Sequence, residues 1–142
     1  MQKKKKVSKN KIIKKKPTPT IKLKTKISDD LEYMARTMLG EPVISVELTK
    51  DQMNVLYINA DNSFSLYSTL SHLSIEELKE LKEYWITKYF FALCQETLGM
   101  IRGKFSGSLP IPGKETTLNY SEILNDARMQ KDELRSMILK LN

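Results

Sequence analysis

The first 26 residues decide how the rest of the chain must be read. They hold twelve lysines (Lys3, Lys4, Lys5, Lys6, Lys9, Lys11, Lys14, Lys15, Lys16, Lys22, Lys24 and Lys26) and no acidic residue. Close-set ammonium groups repel one another, and Pro17 and Pro19 interrupt any helix. Ile12, Ile13, Ile21 and Leu23 are too few to close a core. Residues 1–27 are therefore expected to form a disordered or extended basic arm. Fully extended, 26 residues would reach roughly 85 Å at about 3.3 Å each. Three fates suit such an arm: a solvated tail, a contact to nucleic acid or another polyanion, or a dock on a partner protein. All twelve lysines are candidate polyanion contacts. The alternation from Ile21 to Ile27 has strand period and could add to the edge of another chain's sheet.

Setting the arm aside reverses the sign of the protein. The whole chain carries +7, yet residues 27–142 hold 12 basic against 17 acidic side chains, a net −5. A chain of 142 residues has room for one domain, expected over 28–142, and 40% hydrophobic content supports a modest core. Cys94 is the only cysteine and His72 the only histidine. They exclude an internal disulfide and leave no zinc set of the usual ligand count. Nothing pairs a nucleophile with a base in a recognisable motif. No apolar run follows the lysines as in a signal peptide, and none approaches the ~18 residues of a membrane helix. The expectation is a soluble chain from a reducing compartment, with no membrane partner.

Near misses to catalytic motifs fail on mechanism. Gly99 to Lys104 has one residue too few for a phosphate-binding loop, and Phe105 stands where Ser or Thr must hold the metal. Gly107 to Lys114 has one too many. Glu76, Glu80 and Glu83 would share a helix face, but a solvated face explains them better than a site. Cys94, among aromatics, reads as inert packing, and His72 as a loop residue. The chain is expected to be no enzyme and to need no cofactor or metal.

Helix punctuation is clear from Ser28 onward. Ser28 before Asp29 and Asp30 supplies a cap and then carboxylates at the positive end of a helix dipole. Leu31, Met34, Ala35, Met38 and Leu39 form its apolar face, and Gly40 is a natural stop. Val43 to Leu48 is short and β-branched, reading as an extended segment or single strand. Thr49 with Gln52 makes a capping box for a helix facing inward through Met53, Leu56, Tyr57, Ala60, Phe64 and Tyr67. Ser74 with Glu77 makes a second box, opening a helix expected to run to about Ile101 and to end at Gly99, Gly103 and Gly107. Pro110, Pro112 and Gly113 then enforce a turn, giving a small hairpin or loop through Leu118. Asn119 with Glu122 opens a last helix. Its stripe of Tyr120, Leu124, Ala127, Leu134, Ile138 and Leu141 is broken only by Lys131.

From Tyr84 to Cys94 the third helix is apolar on nearly every side. One small fold can hardly cover all of it, so Trp85, Tyr89, Phe90 and Phe91 are expected at subunit contacts. Arg102 and Lys104, with Lys114 across the turn, form the body's only basic cluster. Together with Phe105, Pro112 and Gly113 they read as a second contact region, to a neighbouring subunit or to a DNA backbone.

Two stretches resemble the neck (head-completion, head-to-tail connector) proteins of tailed bacteriophages. The first is Gly40-Glu41-Pro42-Val43 with Val46-Glu47-Leu48-Thr49. The second runs through Lys88-Tyr89, Ala92-Leu93, Leu98-Gly99, Ile101-Arg102 and Lys104-Phe105-Ser106, then Pro110, Pro112-Gly113 and Thr117-Leu118-Asn119. Order and spacing carry the likeness, over residues 28–142. Lys114 departs from a common second glycine, and Tyr120 from a small residue. Many relatives are also longer between the second and third helices, and the arm has no counterpart.

The resemblance implies a ring-forming virion protein of about twelve copies that docks on the portal protein and extends the DNA channel. It would also meet a further neck or tail protein, having assembled in the host cytoplasm. Combined with the residue reading, the expected fold is mainly α. It is a four-helix adaptor-like domain with a short extended segment and a small hairpin or loop. The alternative is a sequence-independent nucleic-acid-binding protein with a helical oligomerisation body.

Overall fold

A computed structural model describes residues 26–105 and 120–142, which form four helices: α1 (Asp29–Met38), α2 (Lys50–Tyr67), α3 (Ile75–Phe105) and α4 (Tyr120–Leu141). The fold is mainly α, as expected. The arm, apart from Lys26 and Ile27, and the Pro/Gly hairpin or loop both lie outside the described residues.

The first three helices start on the caps expected for them, while Asn119, expected to cap α4, lies outside the described residues. The Ser28 hydroxyl accepts from the Leu31 amide, and Thr49 and Gln52 exchange both bonds of a capping box. Ser74 and Glu77 do the same for α3. Gly40 ends α1 with φ at +114°, a conformation that side chains strain to adopt. The extended segment expected from Val43 to Leu48 is corrected at its start: residues 41–44 turn, with the Ile44 amide donating to the Gly40 carbonyl, and residues 45–49 are irregular with no partner strand among the described residues. Val46 and Leu48 are nevertheless buried, so the segment acts as a strap over the core.

α3 is the central element, with α4 packed along one side and α2 along another. Met53, Ala60 and Phe64 of α2 meet Trp85, Phe90 and Cys94 of α3, and Ala127 and Ile138 supply the buried positions of α4. The smaller α1 is held at the edge. Ala35 is buried there, the Ile27 amide donates to Asn54 Oδ1, and Arg36 donates to the Leu48 carbonyl.

Gly99 and Gly103 do not end α3, which continues to Phe105. Here the expectation is corrected, because α4 crosses these glycines closely enough to use their missing side chains. A Cβ on Gly99 would stand 2.9 Å from Leu124 Cγ, and one on Gly103 would stand 3.0 Å from the Tyr120 ring. Close packing at these two positions outweighs their poor helix propensity.

Candidate interaction surfaces

The four aromatics expected at subunit contacts lie inside the chain's own core. Trp85 and Phe90 are fully buried, and Tyr89 and Phe91 nearly so. Trp85 stacks on Tyr89 with centroids 4.5 Å apart and takes the edge of Phe64 at 5.5 Å; Tyr57 meets Phe90 edge-on at 5.6 Å. The argument from an all-round apolar helix to an oligomer is corrected accordingly. α2 and α4 cover two sides of α3, and Ile27, Val46 and Leu48 belong to the same core cluster. The coat comes from the same chain.

Arg102 is also buried. Its Nη2 donates to the Ser45 carbonyl at 3.1 Å and to Glu47 Oε2 at 3.3 Å, while its Nε has no partner. It pins the strap to the end of α3, so it is no part of an exposed basic cluster. Lys104 is exposed at the helix end, as is Lys26 at the base of the arm. The Phe105 side chain, Pro112, Gly113, Lys114 and the other eleven arm lysines lie outside the described residues.

Several partnerships were hidden in the sequence. Lys131, which breaks the α4 stripe, pairs with Glu96 of α3 at 2.5 Å, and Arg128 reaches the same carboxylate at 3.6 Å. Arg135 donates to the Tyr89 hydroxyl and lies 5.5 Å from the Tyr67 ring. Lys50 bridges α2 to α1 by pairing with Asp29 and with Glu32, the latter at 3.0 Å. Hydrogen bonds from Lys50 hold both carboxyls below their ordinary range. Burial pushes the Cys94 thiol up to about 12, so it stays protonated and unreactive. His72 sits exposed in the loop before α3. Among the described residues no three His, Cys, Asp or Glu side chains gather to hold a metal, and no helix is long and apolar enough to cross a membrane.

The exposed surface divides by charge. The outward sides of α3's first half and of α4 carry Glu76, Lys79, Glu80, Glu83, Asp132 and Glu133 beside the exposed apolar Ile75, Tyr84, Met129 and Leu139. On α2 the exposed side chains beyond the first turn are uncharged, and include Val55 at 57% and Leu66 at 75% exposure. From Tyr33 to Ser45 the exposed side chains are again uncharged, with Tyr33, Met38 and Val43 prominent. Arg36 and Glu41 in that stretch are partly buried, and Arg36 pairs with Glu41 and with Glu32 just before it. The apolar face expected for α1 is corrected here, since Ala35 is buried while Met34 and Met38 of the same stripe are at least half exposed; no stripe advertised the α2 surface, which mixes Asn and Ser with its apolar residues.

The C-terminal half of the chain, residues 74–142, matches the family model described as Bacteriophage T4 neck protein gp13. The match begins at Ser74, the cap of α3, and takes in the second of the two stretches that resemble phage neck proteins. The first stretch, Gly40 to Thr49, lies outside it. No curated protein and no solved structure matches the chain.

Proposed function

Because residues 74–142 match a bacteriophage neck family, we propose that this chain is a non-enzymatic structural subunit of the phage neck, joining head to tail. It assembles in the host cytoplasm as a ring on the portal protein, extends the DNA channel and presents a surface to the next neck or tail component. The observation that carries this reading is the family match, which spans the described α3–α4 pair. A net charge of −5 over residues 27–142 suits a conduit through which DNA must slide without sticking. The arm, with twelve lysines, contacts DNA or a neighbouring protein.

Deleting the gene from the phage that encodes it tests the reading. The expected result is filled heads and free tails that do not join, restored by the chain supplied in trans. Normal virions lacking the chain would overturn it. The arm also favours a second reading, a nucleic-acid-binding protein with a helical oligomerisation body. Particle size separates the two: a large closed ring supports the connector, and a dimer that binds DNA supports the rival.

A further inference from the structure

The body carries a groove of about 490 Å³ where the N-terminal arm joins it. Leu31 and Met34 of α1, Tyr57 of α2, and Glu83 and Thr87 of α3 line it. Lys26 and Ile27 line it as well, so the chain enters the body through the groove itself. Met34 is half exposed there, and Leu31 and Tyr57 are only partly covered. Asp30 and Glu83 add two exposed carboxylates, neither of them in an ion pair among the described residues.

The first described residues set the phase of the chain that precedes them. Ile27 is buried in the core, its amide donating to Asn54 Oδ1 at 2.9 Å, while Lys26 and Ser28 on either side are exposed. Ser28 is extended, with φ −69° and ψ 157°. Alternate residues of an extended chain face the same way. Continued toward the N-terminus, that alternation puts Thr25, Leu23 and Ile21 on the side of Ile27, and Lys24 and Lys22 on the side of Lys26.

We infer that residues 21–25 run extended along this groove of their own body, with Leu23 and Ile21 against Leu31, Met34 and Tyr57, and with Lys22 and Lys24 beside Asp30 and Glu83. Continuity of the chain names the occupant. Leu23 stands four residues from Ile27, about 13 Å of extended chain. That is enough to cross a groove whose α3 residues, Glu83 and Thr87, are one turn or about 6 Å apart. So short a tether holds Leu23 at an effective concentration on the order of millimolar, and even a weak contact is then filled from within the chain. Removing Leu23 and Ile21 from water drives the docking. Exposed ion pairs add little, so the lysines chiefly fix which side faces out.

A docked root divides the arm in two. Pro17 and Pro19 precede it, and nine lysines from Lys3 to Lys16 lie beyond them. Those nine are the part left free to meet a polyanion or a partner, and the groove fixes the point on the body from which they reach. The inference stands or falls independently of the neck role.

Cysteine pairs in the full-length chain test it. Leu23→Cys with Met34→Cys should close a disulfide within one chain under oxidised glutathione. It should do so several-fold faster than Lys24→Cys with Met34→Cys, whose first side chain would face away. Cys94 is buried and does not compete. Non-reducing electrophoresis of a dilute sample reads both rates and separates bonds within a chain from bonds between chains. A second measurement needs no cross-link: Leu23→Ser should lower the melting midpoint by a few degrees, and Lys24→Ser should leave it unchanged. Met34 is half exposed and positions 23 and 24 precede the first helix, so every variant should keep the wild-type circular dichroism. Equal cross-linking rates would mean a solvated arm, and bonds formed mainly between chains would mean that a second copy's arm fills the groove. Either result overturns the inference, as does a melting midpoint equally indifferent to both serine variants.

Discussion

The indole N–H of Trp85 donates to the main-chain oxygen of Leu134 across 2.8 Å, tying the buried centre of α3 to α4. A tryptophan held this way is a core residue with its one donor satisfied. Trp85→Phe keeps an aromatic ring but loses the donor, and should cost about 1–3 kcal/mol in urea unfolding. Phe90→Asp should do far more. It would place a carboxylate among Tyr57 and Phe91, and a domain with roughly 5–15 kcal/mol of stability cannot absorb that. Loss of the helical circular dichroism signal is expected. A folded Phe90→Asp monomer would return the aromatics to a subunit contact.

Local signals were legible where they depend on neighbours in sequence. Ser28, Thr49 with Gln52, and Ser74 with Glu77 announce helix starts because a cap needs only three or four consecutive residues. The inward faces of α2 and α4 were legible for the same reason. What stayed hidden depends on residues distant in sequence. The Tyr84–Cys94 run reads as apolar all round whether a neighbour or the same chain covers it, and only the paths of α2 and α4 decide. Arg102 looked like a free cation because its partners Ser45 and Glu47 lie more than fifty residues earlier. Lys131 looked like a flaw until Glu96 faced it.

The two glycines of α3 should respond differently to alanine. Either change gains about 1 kcal/mol of helix propensity. At Gly99 the new methyl meets Leu124 Cγ at 2.9 Å, a branch point that cannot swing aside, and overpacking of that kind costs about 1–3 kcal/mol. At Gly103 the neighbour is the edge of the Tyr120 ring, which is exposed and near the start of α4, so it can yield. Thermal melts should show Gly99→Ala destabilised and Gly103→Ala neutral or slightly stabilised. Equal losses at both sites would mean that the α3–α4 crossing is rigid along its whole length.

Acid should loosen α1 before the rest of the body. Asp29 and Glu32 ionise below their ordinary values of 3.8 and 4.5, mainly through hydrogen bonds from Lys50. Carboxyls depressed in this way favour the docked helix above their unfolded values, and that contribution fades as the pH falls through the folded ones. Hydrogen-exchange protection of α1 should therefore drop below about pH 4, relative to α3, and salt should weaken the linkage at neutral pH. Lys50→Gln should lower α1 protection at neutral pH and flatten its acid response. An α1 as acid-sensitive in Lys50→Gln as in wild type would place its anchor elsewhere.

The arm offers the sharpest separation of DNA contact from protein docking. Twelve lysines without an acid attract any polyanion, and a body of net charge −5 is only a weak competitor. If about six of them meet phosphates, log affinity should fall against log salt with a slope near −5. Binding should be indifferent to base sequence, since residues 1–26 contain no aromatic to stack on bases and no arginine fork to read guanine. Deleting residues 1–26 should abolish DNA binding while leaving the helical circular dichroism unchanged. If the arm instead docks on a protein through Ile21, Leu23 and Ile27, charge has little part in it. The full-length chain would then show a flat salt response, or no more DNA affinity than the truncated one. Either result, read from a fluorescence anisotropy titration at four or more salt concentrations, would remove nucleic acid from the arm's account and leave the lysines as a solubilising sheath around an apolar dock.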